Sequence, residues 1–85
     1  MLTPATRSMA VEITVDADLL ILSGRLDAAG AIALDAWKAE VATVPAIWDL
    51  RALAFISSLG IRSLMVLDRR VRAAGQRVQV VFVAE

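Results

Sequence analysis

The segment Met9–Val15, "MAVEITV", alternates apolar and polar residues, the period of a half-buried strand. "DAD" at 16–18 then reads as a hairpin turn, and "LLILSG" as a second strand with a more continuous apolar run. The spacing changes after Asp27. Gly30, Ala33, Leu34, Trp37, Val41 and Val44 fall on one helical face. Asp27 fits the N-cap of that helix, because its carboxylate can accept from the free N–H groups of the first turn. Thr43, Val44 and Pro45 end it, and "AIWDL" (46–50) is a third, short and mostly apolar strand of the kind found in buried parallel sheets.

A turn at Arg51–Ala54 is expected next, followed by "AFISSLGIRSL" (54–64). Gly60, Ile61, Leu64, Leu67 and Val71 mark one face of a second helix, which closes at "AAGQ" with Gly75 as the residue after the C-cap. "RVQVVFVAE" (77–85) is a fourth strand. The order is β-β-α-β-α-β, without an internal repeat or linker. Strand–helix–strand units make right-handed crossovers between parallel strands, whereas the first two strands, joined by a tight turn, are antiparallel. The expected fold is α/β: a mixed four-stranded sheet, its first strand antiparallel, with the helices mainly on one face. Residues 1–9 read as a flexible N-terminal tail and 10–85 as a single domain.

The totals support a folded domain and narrow its chemistry. At 85 residues the chain has room for one small core. It is 59% hydrophobic with a mean hydropathy of +0.70, high for so small a domain, so part of the apolar surface is expected to meet a partner. With both helices expected on one sheet face and no final helix over the remaining apolar surface, a homodimer or larger assembly is expected. There is no cysteine and no histidine, which excludes disulfides, cysteine nucleophiles, thiolate–imidazole zinc sites and histidine acid–base catalysis. No cofactor or metal is implied. No apolar run approaches the roughly 20 residues needed to cross a bilayer, and "MLTPATRSM" lacks the basic start and apolar core of a signal peptide. A cytoplasmic protein without direct membrane insertion is expected.

Net charge is zero but unevenly spread. Residues 1–50 carry three basic groups against seven acidic ones, a net −4. Residues 51–85 carry six arginines against Asp68 and Glu85, a net +4. Such a split fits either a solvated helix face or a basic surface that faces a partner. No lysine-rich or aromatic-interleaved patch accompanies the arginines, so nucleic acid is not the expected partner.

The paired serines could in principle do chemistry or cap a helix. Catalysis lacks a base, and Ser58 has Gly60 two residues after it but Ile56 two before, so the glycine spacing of a nucleophile elbow is absent. "SGRLDAAG" has neither the glycine spacing of a dinucleotide site nor the lysine of a phosphate loop. The chain is not expected to be an enzyme. Ser57, between an apolar pair and the helical periodicity, is placed as the N-cap. Ser58 then falls at the first helical position. At 100° per residue, Ser58, Leu59, Arg62, Val66 and Arg69 lie on the side away from the core. Leu59 and Val66 are apolar where water should be, flanked by arginines, as in a partner-binding patch. The helix N-terminus offers free N–H groups to a phosphate, and Gly60 is expected to let an anion approach the backbone.

The stretch "IWDLRALAFISSLGIRSLMVLDRRVRAAGQRVQVV" resembles the core of the STAS domain, the sulfate-transporter and anti-sigma-factor-antagonist family. A strand ending in aspartate (Asp49), a short turn, an apolar residue, a D/S-S-x-G motif, a long helix closing near glycine and another strand carry the likeness. "LSGRLDAAGAIALDAW" resembles the family's other motif, a strand running through G-x-L-D into a helix. Together they span about residues 10–84. The resemblance implies that Ser58 is the serine phosphorylated by a partner kinase that is itself an anti-sigma factor, with the unphosphorylated form binding that partner. It also implies that Asp27 and Asp49 lie near the same rim. Many members carry aspartate where this chain has Ser57, which makes Ser57 a rival phosphoacceptor. The usual final helix is absent from 10–85. The alternative is a non-phosphorylated STAS subunit, such as the small component of a bacterial lipid-transport ABC complex. A nucleotide-binding module would need an adenine-stacking aromatic or a phosphate loop, and neither is present.

Overall fold

The computed structural model describes residues 3–7 and 11–83. Its elements run β1 (Thr3–Arg7), β2 (Val11–Asp16), β3 (Leu19–Leu26), α1 (Ala28–Glu40), β4 (Ile47–Ile56), α2 (Ser58–Ala73) and β5 (Gln79–Val81). The α/β order inferred from the sequence is present from β2 to β5. The strands form one mixed sheet in the order β1-β2-β3-β4-β5, antiparallel between β1, β2 and β3 and parallel between β3, β4 and β5. The two consecutive crossovers step in one direction, and α1 and α2 pack against each other on the same face, as right-handed connections require.

Three boundaries differ from expectation, each for a physical reason. The segment expected to be a flexible tail contributes β1, which pairs with the free edge of β2 and shifts register between Pro4 and Thr6. An edge strand needs only backbone pairing and tolerates proline, so "TPATR" shows no apolar alternation. The other tail residues lie outside the described ones. The turn expected at 51–54 is strand: β4 runs ten residues to Ile56. Its register against β3 slips twice, between Ile21 and Ser23 and between Gly24 and Arg25. Each slip adds a residue on β4, breaks the alternation and makes "RALA" look like a turn. The last strand is shorter than "RVQVVFVAE": β5 covers Gln79–Val81, and Ala84 and Glu85 lie outside the described residues.

The local chemistry that ends each element is legible. Asp16 pairs with Leu19, leaving a two-residue hairpin loop with Ala17 at φ +54°. Asp27 caps α1, its Oδ1 accepting from the Gly30 N–H at 3.0 Å. Ser57 caps α2, its Oγ accepting from the Gly60 N–H at 3.1 Å. At the other end of α2, Gly75 takes φ +83°, its N–H donates to Arg72 O at 2.9 Å and the Gln76 N–H donates to Val71 O at 3.2 Å. These two bonds define a Schellman cap.

The core lies between the sheet and the helices: Val11 and Ile13 from β2, Leu20, Leu22 and Leu26 from β3, Leu34 and Trp37 from α1, Trp48 from β4, and Leu67 and Val71 from α2. Each fully buried aliphatic side chain contributes about 1.5–3 kcal/mol. Ile61, expected in this core, is 51% exposed, and Ser63 is buried in its stead. The small serine lets the helices approach, and its hydroxyl donates to Asp35 Oδ1 at 3.0 Å on α1. Arg70 completes the helix pair by donating to the carbonyls of Lys38, Val41 and Ala42 at the C-terminal end of α1, at 2.6, 2.9 and 3.1 Å. Trp48 Nε1 donates to Pro45 O at 2.8 Å, whereas the buried Trp37 Nε1 meets no acceptor among the described residues. A buried donor left unpaired costs about 1–3 kcal/mol. Among the described residues no helix is long and apolar enough to cross a membrane.

Candidate functional site

Both helices begin at one rim of the sheet, where β3 and β4 end. The Leu26 carbonyl is the hub of this rim. It accepts from the Ser57 backbone N–H at 2.9 Å and from Ser57 Oγ at 3.3 Å. A side chain at Gly60 would collide with the same carbonyl and with Leu26 Cγ, 2.8 Å from an added Cβ. The expectation that Gly60 admits an anion is therefore corrected: Gly60 is buried, and it is glycine so that α2 can abut β3.

This packing separates the two serines. Ser57 is half-buried and its hydroxyl is engaged twice, accepting from Gly60 and donating to Leu26. Ser58 is exposed and its hydroxyl makes no hydrogen bond within the described residues. The N–H groups of Ser58 and Leu59, in the first turn of α2, have no intrahelical acceptor. Ser58 borders a surface depression shared with Ile61, Arg62, Met65, Val66 and Arg69. Leu59, 48% exposed, lies on the other flank of Arg62 and Val66, in the groove between α2 and α1 that also contains Ile32, Asp35 and Lys38. The patch inferred from the helical wheel is thus assembled: Ser58, Leu59, Arg62, Val66 and Arg69 share one continuous surface, with Val66 half-buried as its floor.

The structure adds residues that periodicity missed. Ile61, Met65 and Ile32 are 51%, 55% and 71% exposed and extend the apolar part of this surface. The spacing of Ile61 with Leu64 and Leu67 points to the core, yet its side chain is exposed. Its i+4 partner Met65 was the available signal that a second apolar stripe runs beside the first.

The two aspartates do different things. Asp27 stays at the rim, as expected, but is committed to its helix: it caps α1 and lies 3.6 Å from Arg25, whose guanidinium stacks 4.6 Å from the Phe55 ring centroid. Its carboxyl is held below the ordinary value of 3.8, chiefly by the Gly30 N–H, with the Arg25 charge adding to the effect and partial desolvation opposing it. Asp49 is not at the rim. It pairs in register with Ile21, while the rim is set by Leu26 opposite Ile56. Five residues of strand separate them, about 16 Å. Asp49 also alternates with the core residue Trp48 and so faces away from the helices. Its carboxylate accepts from Arg51 Nε at 3.0 Å, Nη2 at 2.8 Å and the Arg51 N–H at 3.1 Å, and these bonds hold its pKa down. Asp49 is a sheet-stabilising residue that the fold does not bring to Ser58.

The arginines show where charge is available. Arg25 and Arg51 are paired with Asp27 and Asp49, Arg72 with Asp68 at 3.1 Å, and Arg70 caps α1. Arg62 and Arg69, both exposed, pair with no acidic side chain among the described residues. Free cations, exposed aliphatic side chains and an unengaged hydroxyl therefore meet on one face of α2. Among the described residues no group of three acidic side chains is placed to hold a metal ion. No protein-family model matches the chain, and no curated protein matches it either.

Proposed function

We propose that the chain is a regulatory protein-binding module of STAS type, an anti-sigma factor antagonist whose partner surface is the outer face of α2 and whose switch is phosphorylation of Ser58. The observation that carries this reading is the division of labour at the rim. Ser57 holds the helix, which leaves Ser58 an exposed hydroxyl beside Arg62 and an apolar patch.

In the unphosphorylated form, Leu59, Ile61, Met65 and Val66 supply apolar contact area, and Arg62 and Arg69 supply charge to a complementary acidic rim on the partner. A phosphate on Ser58 adds about 1.5–2 negative charges at the edge of the patch. The free N–H groups of Ser58 and Leu59 and the Arg62 guanidinium, one turn on, can hold it without disturbing the fold. The partner then meets a dianion and an occupied arginine, a mismatch of about 2 kcal/mol or more, some thirtyfold in affinity. The partner in this reading is a serine kinase that is itself the anti-sigma factor, acting in the cytoplasm.

Incubation with such a kinase and ATP, followed by peptide mass spectrometry, tests the assignment. The expected result is one phosphate on Ser58, abolished in Ser58→Ala and retained in Ser57→Asp. Phosphate on Ser57, or a stable complex without any transfer, overturns the switch. The second outcome would leave α2 a plain docking surface, as in a transporter-associated subunit.

A further inference from the structure

At the end of the sheet opposite Ser58, a cavity of about 480 Å³ opens between the β2–β3 hairpin turn, the loop 41–46 and Gln76 beyond α2. That volume falls in the range of small-molecule sites, roughly 300–1,000 Å³. Val15, Val41 and Val44 give it an apolar wall, Asp18 and Gln76 a polar one, and Asp18 is the charged side chain in its lining. Trp37 is also part of the wall. It is 3% exposed, and its indole N–H meets no acceptor among the described residues. The neighbouring Trp48, by contrast, has its N–H bonded to Pro45 O at 2.8 Å.

The loop that covers this region has no helix or strand. Arg70 holds its start through the carbonyls of Val41 and Ala42, and Trp48 holds its end through Pro45. Thr43 and Val44, between these anchors, make no hydrogen bond among the described residues, so a shift of this pair that uncovers the indole N–H would break none. We propose that this cavity binds a small, mostly apolar, uncharged molecule bearing a hydrogen-bond acceptor, and that Trp37 Nε1 donates to that acceptor. The apolar wall takes the body of the molecule, Gln76 and Asp18 border its polar end, and the Asp18 carboxylate disfavours anions.

Acetanilide, an aryl ring with a neutral amide, is a suitable probe, and benzoate is its anionic counterpart. In a ¹H–¹⁵N titration the indole N–H of Trp37 should move downfield on adding acetanilide, together with the amides of Val15, Val41 and Val44. The Trp48 indole should move less. A dissociation constant on the order of 1 mM is expected for a probe of this size, with benzoate at least severalfold weaker. Val44→Trp, which fills the cavity from its half-buried rim, should weaken acetanilide binding tenfold or more with an unchanged circular dichroism spectrum. Trp37→Phe keeps an aromatic wall but removes the donor, and should weaken binding severalfold. An unmoved Trp37 indole at saturating acetanilide, or undiminished binding by folded Val44→Trp, overturns the site. Binding by Trp37→Phe equal to that of the wild type overturns the role of the N–H, and decides that point even if Val44→Trp fails to fold.

Discussion

The two helix starts are built to one plan and serve different ends. Each is a capping residue followed three residues later by a buried glycine pressed on the end of β3: Asp27–Ala28–Ala29–Gly30 on α1 and Ser57–Ser58–Leu59–Gly60 on α2. On α1 the exposed positions between cap and glycine are alanines, and the nearest cation, Arg25, is paired with the cap itself. On α2 the same positions are Ser58 and Leu59, and the cations nearby, Arg62 and Arg69, are unpaired among the described residues. A capped helix start anchored by glycine is thus structural equipment. What differs between the two starts is the residues that this equipment leaves exposed, and the proposed switch rests on those of α2.

The largest expected effect falls on the glycines. At Gly60 a methyl group would strike the Leu26 carbonyl and Leu26 Cγ, while at Gly30 it would meet the Arg25 carbonyl at 2.6 Å. Gly60→Ala should destabilise by about 2–3 kcal/mol and Gly30→Ala by somewhat less, as expected for overpacking against backbone. Denaturant midpoints at unchanged slope would measure this. A tolerated Gly60→Ala would break the parallel between the two starts.

The caps come next. Ser57→Ala loses both the bond from Gly60 and the bond to Leu26, for about 1–2 kcal/mol. Ser57→Asp can replace the first bond but not the second, so its midpoint should fall between alanine and wild type. Equal midpoints for the two variants would show that the Leu26 bond carries the whole effect.

Acid sharpens the comparison further, because one start is charged and the other neutral. Asp27 and Asp49 both have folded pKa values below 3.8. Their contribution is therefore complete above the unfolded-state value and drains away as pH falls through the folded values. Urea stability should be level at neutral pH and drop below about pH 4. Asp27→Asn, which still caps, and Asp49→Asn should each flatten that drop, whereas no Ser57 variant to a neutral residue should alter its slope. The smallest effect lies away from both starts. Ala17 sits at φ +54°, and Ala17→Gly should stabilise by up to about 1 kcal/mol, read as a raised thermal midpoint.

Much of this was legible in the chain. Both caps, a hairpin turn around 16–18, the Gly75 terminus and the order of elements from β2 to β5 follow from local chemistry that involves neighbours in sequence. What could not be read depends on pairing across the sheet. The bulges in β4 erased its alternation, β1 has no apolar pattern because an edge needs none, and Asp49 is far from the rim because β4 continues for seven residues beyond it. The site followed the same rule. Ser58, Arg62 and Arg69 were found by helical spacing alone, whereas the exposure of Ile61 depended on how Gly60 and Ser63 seat α2 against β3 and α1.

The division between Ser57 and Ser58 is tested most directly by titrating the proposed anti-sigma partner with Ser58→Ala and Ser58→Asp, both checked for an intact fold by circular dichroism. The account predicts that Ser58→Ala binds as the unmodified protein does, and that Ser58→Asp binds about thirtyfold more weakly. Equal affinity of the two variants would contradict it.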